Sequence, residues 1–127
     1  MRKKVFVKTE QAPPPLGAYS QAVKVGEWVF ISGQLPINPS TSDLASESVA
    51  EQAKQAFENL KAILKAAGMN LKNVVKVTLY LRNLEDFPVI NKVYEEYFKE
   101  ALPARSTIQA FPPKGAALEV DAIAYSF

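Results

Sequence analysis

Six short β-rich segments and two amphipathic helical ones predict a two-layer α+β domain, in which a six-stranded mixed sheet carries both helices on one face. Three observations carry this reading. Apolar residues recur at helical spacing from Val49 to Ala67 and again from Phe87 to Phe98, and Val74 to Leu81 alternates with a period of two. The 127 residues suit one domain, 1–127, able to bury about two-thirds of the surface its unfolded chain exposes.

The elements follow in the order β-ββ-α-β-α-ββ. Lys4 to Lys8 reads as a strand that stops at the breaker cluster Ala12-Pro13-Pro14-Pro15. Gln21–Val25 and Trp28–Ser32 are separated by Gly26-Glu27, the two-residue spacing of a tight hairpin with glycine first. Gly33 to Glu47 has the composition of a loop. Ser48 with Glu51 forms a capping-box pattern, and the stripe Val49, Ala53, Ala56, Phe57, Leu60, Ile63, Leu64 and Ala67 runs to a stop at Gly68. In the next strand Val75, Val77, Leu79 and Leu81 share one face, and Lys76, Thr78 and Tyr80 the other. A second helix starts around Glu85–Pro88 with the stripe Phe87, Ile90, Tyr94, Tyr97 and Phe98, and Pro103 ends it. Ser106–Phe111 and Ala117–Ser126 are read as a closing hairpin. The crossover from Trp28 to Leu81 is expected to be right-handed. Two helices cannot cover both faces of such a sheet. The face bearing Ile123 and Tyr125 is left for a second copy of the chain, an argument for a homo-oligomer.

Composition removes whole classes of chemistry. The chain has no histidine and no cysteine, which excludes Ser-His-Asp and cysteine nucleophile systems, a histidine base, zinc fingers and disulfides. With 15 Lys+Arg against 13 Asp+Glu the charge is +2, too slight for a dedicated nucleic-acid binder. The apolar stretch Val5-Phe6-Val7 is too short for a signal-peptide core, and no run approaches a membrane span. A cytoplasmic location is the expectation.

Glu119 and Asp121 lie two apart on a strand and project from one face. The expected hairpin brings Arg105 near one end of that pair. One reading is a carboxylate that handles water or protons beside an arginine that forks onto a carboxylate substrate. The other is a solvated strand face with a surface ion pair. Tyr19-Ser20-Gln21 and Ser32-Gly33-Gln34 are polar clusters at strand edges, and Gly33 would let a ligand approach the main chain. No Walker loop, dinucleotide fingerprint, HExxH or calcium-loop pattern is present.

Gly17-Ala18-Tyr19-Ser20-Gln21-Ala22, Phe30-Ile31-Ser32-Gly33-Gln34, Glu58-Asn59-Leu60, Asn91-Lys92-Val93-Tyr94, Pro103-Ala104-Arg105-Ser106-Thr107 and Leu118-Glu119-Val120-Asp121-Ala122-Ile123-Ala124 together resemble the RidA/YjgF family, in order and over nearly the whole chain. The resemblance implies a chorismate-mutase-like subunit, a homotrimer with clefts between subunits, and no metal or organic cofactor. It implies a 2-iminobutanoate/2-iminopropanoate deaminase, which hydrolyses reactive imines released by pyridoxal-phosphate dehydratases to 2-oxo acids and ammonia. Carried over, Arg105 clamps the substrate carboxylate and Glu119 orients the attacking water. Thr107 offers main-chain groups to the nitrogen end, and Tyr19, Ser32, Gly33 and Asn91 line the cleft. Thr107 stands where several relatives have cysteine, Ala18 where proline is usual, and the turn at 111–114 is one residue shorter than in some members. The alternatives kept are an RNA-cleaving translation inhibitor, disfavoured by the missing histidine, and a small-acid-binding or chaperone-like module.

Overall fold

The computed structural model describes residues 3–127. The strands are β1 (Lys4–Val7), β2 (Ala22–Val25), β3 (Trp28–Gln34), β4 (Val74–Leu81), β5 (Ala104–Gln109) and β6 (Leu118–Tyr125), and the helices are α1 (Val49–Ala66) and α2 (Phe87–Phe98). They form one six-stranded sheet in the order β1-β2-β3-β6-β4-β5. All neighbours are antiparallel except β4 and β5, so the sheet is mixed as expected.

The β2–β3 turn has the expected two residues, with Gly26 at φ 57, a value that glycine adopts without strain. Helix α1 starts where Ser48 Oγ accepts the Glu51 N–H at 3.4 Å. The other arm of the capping box is replaced: the Ser48 N–H donates to Ser46 Oγ at 3.0 Å, and the exposed Glu51 carboxylate lies 3.5 Å from Lys54 Nζ. The helix ends in a Schellman arrangement: Gly68 sits at φ 79, its N–H reaches the Lys65 carbonyl, and the Met69 N–H reaches that of Leu64. Helix α2 stops at Phe98 and a turn follows, so Pro103 lies beyond its end rather than at it.

The core lies between the helices and one sheet face. Phe57, Leu60, Ile63, Leu64, Ile90 and Phe98 meet Val77, Leu79, Leu81, Leu118 and Val120, all at most 1% exposed. One expected core position in β4 is exchanged for another. Val74 is buried and Val75 only half-buried, because a register shift between Val74 and Lys76 reverses the alternation at the strand's start.

The closing hairpin does not form. β6 inserts between β3 and β4, and β5 lies at the edge, parallel to β4, connected to it through α2. β3 and β4 are thus parallel but not adjacent, since each pairs with β6. The loop after β3 also carries more structure than its composition suggested. Leu35 and Ile37 bury with Ala116, and the buried Asn59 amide donates to the Leu35 and Ile37 carbonyls at 3.0 and 2.9 Å.

The second sheet face has no helix over it. Trp28 and Phe30 are 44% and 45% exposed there, beside Tyr125 and Ile123 on β6. No helix among the described residues is long and apolar enough to cross a membrane.

Candidate functional site

The sequence-nominated residues fall into two groups on opposite sides of the sheet. Alternation along β6 buries Leu118, Val120, Ala122 and Ala124 against the helices and turns Glu119 and Asp121 to the uncovered face. Arg105 pairs with Val77, and Thr107 with Leu79, core residues of β4, so both point to the helix side. β4 also stands between their strand and β6. The expected proximity of Arg105 to the Glu119–Asp121 pair within one chain is therefore wrong, because it depended on a β5–β6 hairpin that the parallel β4–β5 pairing replaces.

The first group is Tyr19, Ser32, Gly33 and Glu119. With Leu16, Gly17, Leu35 and Pro113 they line an open cavity of about 480 Å³. A register shift between Ile31 and Gln34 places Ser32 and Gly33 in a bulge facing β6. Gly33 is there for space. A Cβ at this position would overlap Glu119 Oε2 and lie 2.7 Å from Cδ, so the carboxylate rests against bare backbone. Burial, and then the charge of Asp121, push the Glu119 carboxyl above its ordinary range. No side chain or amide among the described residues is hydrogen-bonded to this carboxylate, whereas Asp121 accepts a 2.8 Å bond from Tyr80 Oη. Around the cavity, Ser32 Oγ donates to the Ser20 carbonyl at 2.6 Å and Tyr19 Oη accepts the Leu16 N–H at 3.1 Å. Gln21, buried behind them, holds the incoming loop through Thr9 and Pro13, which makes it a scaffold residue.

The second group is Arg105, Asn91 and Thr107. Asn91 Oδ1 accepts from Arg105 Nη1 at 2.8 Å. The guanidinium carbon stands 4.6 Å from the Tyr94 ring centre and 5.5 Å from that of Phe87, close enough for cation–π attraction. Thr107 is half-buried two residues along the same strand face. Tyr94 and Phe87 were read from sequence only as core positions, yet Phe87, Asn91 and Tyr94 share a helix face at spacings of four and three, the pattern that could have exposed them. Tyr94 stacks on Phe98 at 4.5 Å, and its buried hydroxyl makes no hydrogen bond. Burial pushes that hydroxyl up to about 12 despite the opposing influence of Arg105.

One group thus offers a carboxylate and polar donors, the other a fixed cationic fork. No group of three or more carboxylates among the described residues is placed to hold a metal ion.

Residues 9–126 match the family model described as Endoribonuclease L-PSP. A RutC family protein of Pyrococcus abyssi is 49% identical over 123 residues, covering 96% of this chain and 97% of that one. The human protein named 2-iminobutanoate/2-iminopropanoate deaminase is 47% identical over 119 residues, covering 93% and 87%. Among solved structures, E. coli TdcF with bound serine superposes with a TM-score of 0.93 at 38% identity, covering 97% and 99%. RidA from the Antarctic bacterium Psychrobacter gives 0.92 at 46%, covering 95% and 98%. With the fold shared throughout and the sequence match running almost end to end, the chain belongs to the endoribonuclease L-PSP family, the RidA/YjgF family.

Proposed function

We propose that this protein is an imine hydrolase that converts 2-iminopropanoate and 2-iminobutanoate to 2-oxo acids and ammonia in the cytoplasm. The observation that carries the reading is the Glu119 carboxylate, half-buried and without a hydrogen-bond partner among the described residues, beside an open cavity that admits a small acid. Relatives that bear the deaminase name at 44–48% identity support the same class.

In this reading Arg105 binds the substrate carboxylate, with Asn91 and the Tyr94 ring holding the fork in place. A water beside Glu119 attacks the imine carbon: its oxygen forms the new C–O bond and Glu119 accepts a proton. Glu119 passes that proton to the imine nitrogen as the C–N bond becomes single, giving the carbinolamine. The carboxylate then takes the hydroxyl proton and hands it to the nitrogen, the C–N bond breaks, and ammonia leaves as the carbonyl forms. An imine carbon is already electrophilic, so orientation and charge placement supply what the reaction needs. Arg105 and Glu119 lie on opposite sheet faces, so a substrate touching both requires Arg105 from one copy and Glu119 from another. A homotrimer with clefts between subunits meets that requirement, and the uncovered Trp28–Phe30 face gives it an apolar surface to bury.

A trapping assay tests the reading. Imine is generated by an amino-acid oxidase or threonine dehydratase in the presence of semicarbazide, and the expected result is that wild type diverts imine from the trap. Arg105→Ala should lower kcat/KM by on the order of 10²-fold. Equal diversion by both would overturn the proposal, as would tight binding of 2-oxo acids without turnover. Cleavage of RNA that survives repurification and is abolished in Arg105→Ala would favour the nuclease instead.

A further inference from the structure

The uncovered face holds two carboxylates and a tyrosine that the proposed reaction uses only in part. Tyr80 stands directly opposite Glu119 in the β4–β6 register, and Thr78 stands opposite Asp121. The Tyr80 hydroxyl nevertheless bypasses its own partner and donates diagonally to Asp121 Oδ2 at 2.8 Å. Glu119 turns the other way, toward β3, into the space left by Gly33. Two neighbouring carboxylates therefore have unlike surroundings: one engaged by a hydroxyl, the other half-buried with no hydrogen bond.

We propose that Tyr80 and Asp121 are positioning residues for Glu119, Tyr80 by occupying Asp121 and Asp121 by its charge, so that a proton taken up by the pair goes to Glu119. A hydrogen bond donated to a carboxylate favours its charged form, while desolvation and a like charge disfavour the charged form of its neighbour. On β6 the facing titratable group is the Asp121 carboxylate, and on β4 it is the neutral hydroxyl of Tyr80. Lys76, further along β4, donates to Ser106 Oγ at 3.1 Å. β3 presents Ser32 and Gly33 and no charge, and the loop before β2 presents Tyr19. In the proposed composite cleft the Arg105 guanidinium of a second copy acts in the opposite direction and favours ionised Glu119.

This inference rests on the role given to Glu119 above, and its test separates the two. Carboxyl carbons of Glu and Asp are labelled with ¹³C and followed by NMR through a pH titration in wild type, Asp121→Asn and Tyr80→Phe, with thermal melts confirming that each variant is folded. The acid limb of kcat/KM is measured in parallel. The expected results are that Glu119 alone follows the upper carboxylate step in wild type and that this step and the acid limb move to lower pH in Asp121→Asn. In Tyr80→Phe the Glu119 and Asp121 signals should move together, because both now compete for the proton. A wild-type titration in which Asp121 carries the step overturns the inference, as does a Glu119 titration unchanged in Asp121→Asn. Wild type with the expected NMR titrations but no imine hydrolysis would sink the proposed activity and leave this inference standing.

Discussion

At Gly33 the missing side chain is a spatial requirement, because the Glu119 carboxylate occupies the volume a Cβ would need. Gly33 is not among the residues at positive φ, so alanine fits its backbone and the substitution isolates the steric effect. Gly33→Ala should leave the melting temperature near that of wild type and cut kcat by about 10²-fold, since a displacement of roughly an ångström suffices for that loss. Steady-state kinetics beside a thermal melt read both. The pH behaviour of Glu119 has a definite sign. Its folded-state pKa is raised, so the stability it contributes is fully present below the unfolded value and is lost as pH rises through the folded one. Glu119→Gln should therefore melt higher than wild type near pH 7 and no higher at about pH 3, in paired scans at the two pH values.

Among the elements, α1 and the loop after β3 depend on one another through Asn59. Its side chain satisfies two buried carbonyls that no strand neighbour reaches. Asn59→Ala leaves both unpaired, and the expected loss is about 2–4 kcal/mol, on the order of 10 °C in melting temperature. Urea unfolding gives the free energy directly. The sequence showed Asn59 only as part of the Glu58-Asn59-Leu60 signature, because nothing in a polar residue on an apolar stripe tells which carbonyls it will meet. Helices α1 and α2 were legible for the opposite reason: periodicity is local, and most residues it nominated bury, although Val49, Phe87 and Tyr97 are only half-buried and Val93 is buried without having been nominated. β4 was legible except at its start, where a bulge shifted burial from Val75 to Val74. Bulges arise from pairing with a partner strand, which a single segment does not reveal.

For the molecule as a whole, the separation of Arg105 from Glu119 makes the proposed site a property of an assembly. Mixing supplies the test. Arg105→Ala and Glu119→Gln proteins, each strongly impaired alone, are combined in equal amounts under conditions where subunits exchange. Clefts that draw one group from each of two copies should recover about one quarter of wild-type activity in a random mixture. A mixture as inactive as its components would place both groups in one chain's cleft and contradict the composite site.

Sequence alone narrowed the candidates for chemistry: without histidine or cysteine, it left an arginine, a carboxylate and a few hydroxyls to propose, and their order matched a known family. It also determined the α+β class, because alternation and helical stripes are written into neighbouring residues. Only the tertiary structure decided where those groups stand. β6 lies between β3 and β4, and β5 runs parallel at the edge, so Arg105 faces the helices while Glu119 faces the uncovered side. Strand order depends on long-range pairing and on which crossovers the helices can span, and no local pattern of residues encodes either.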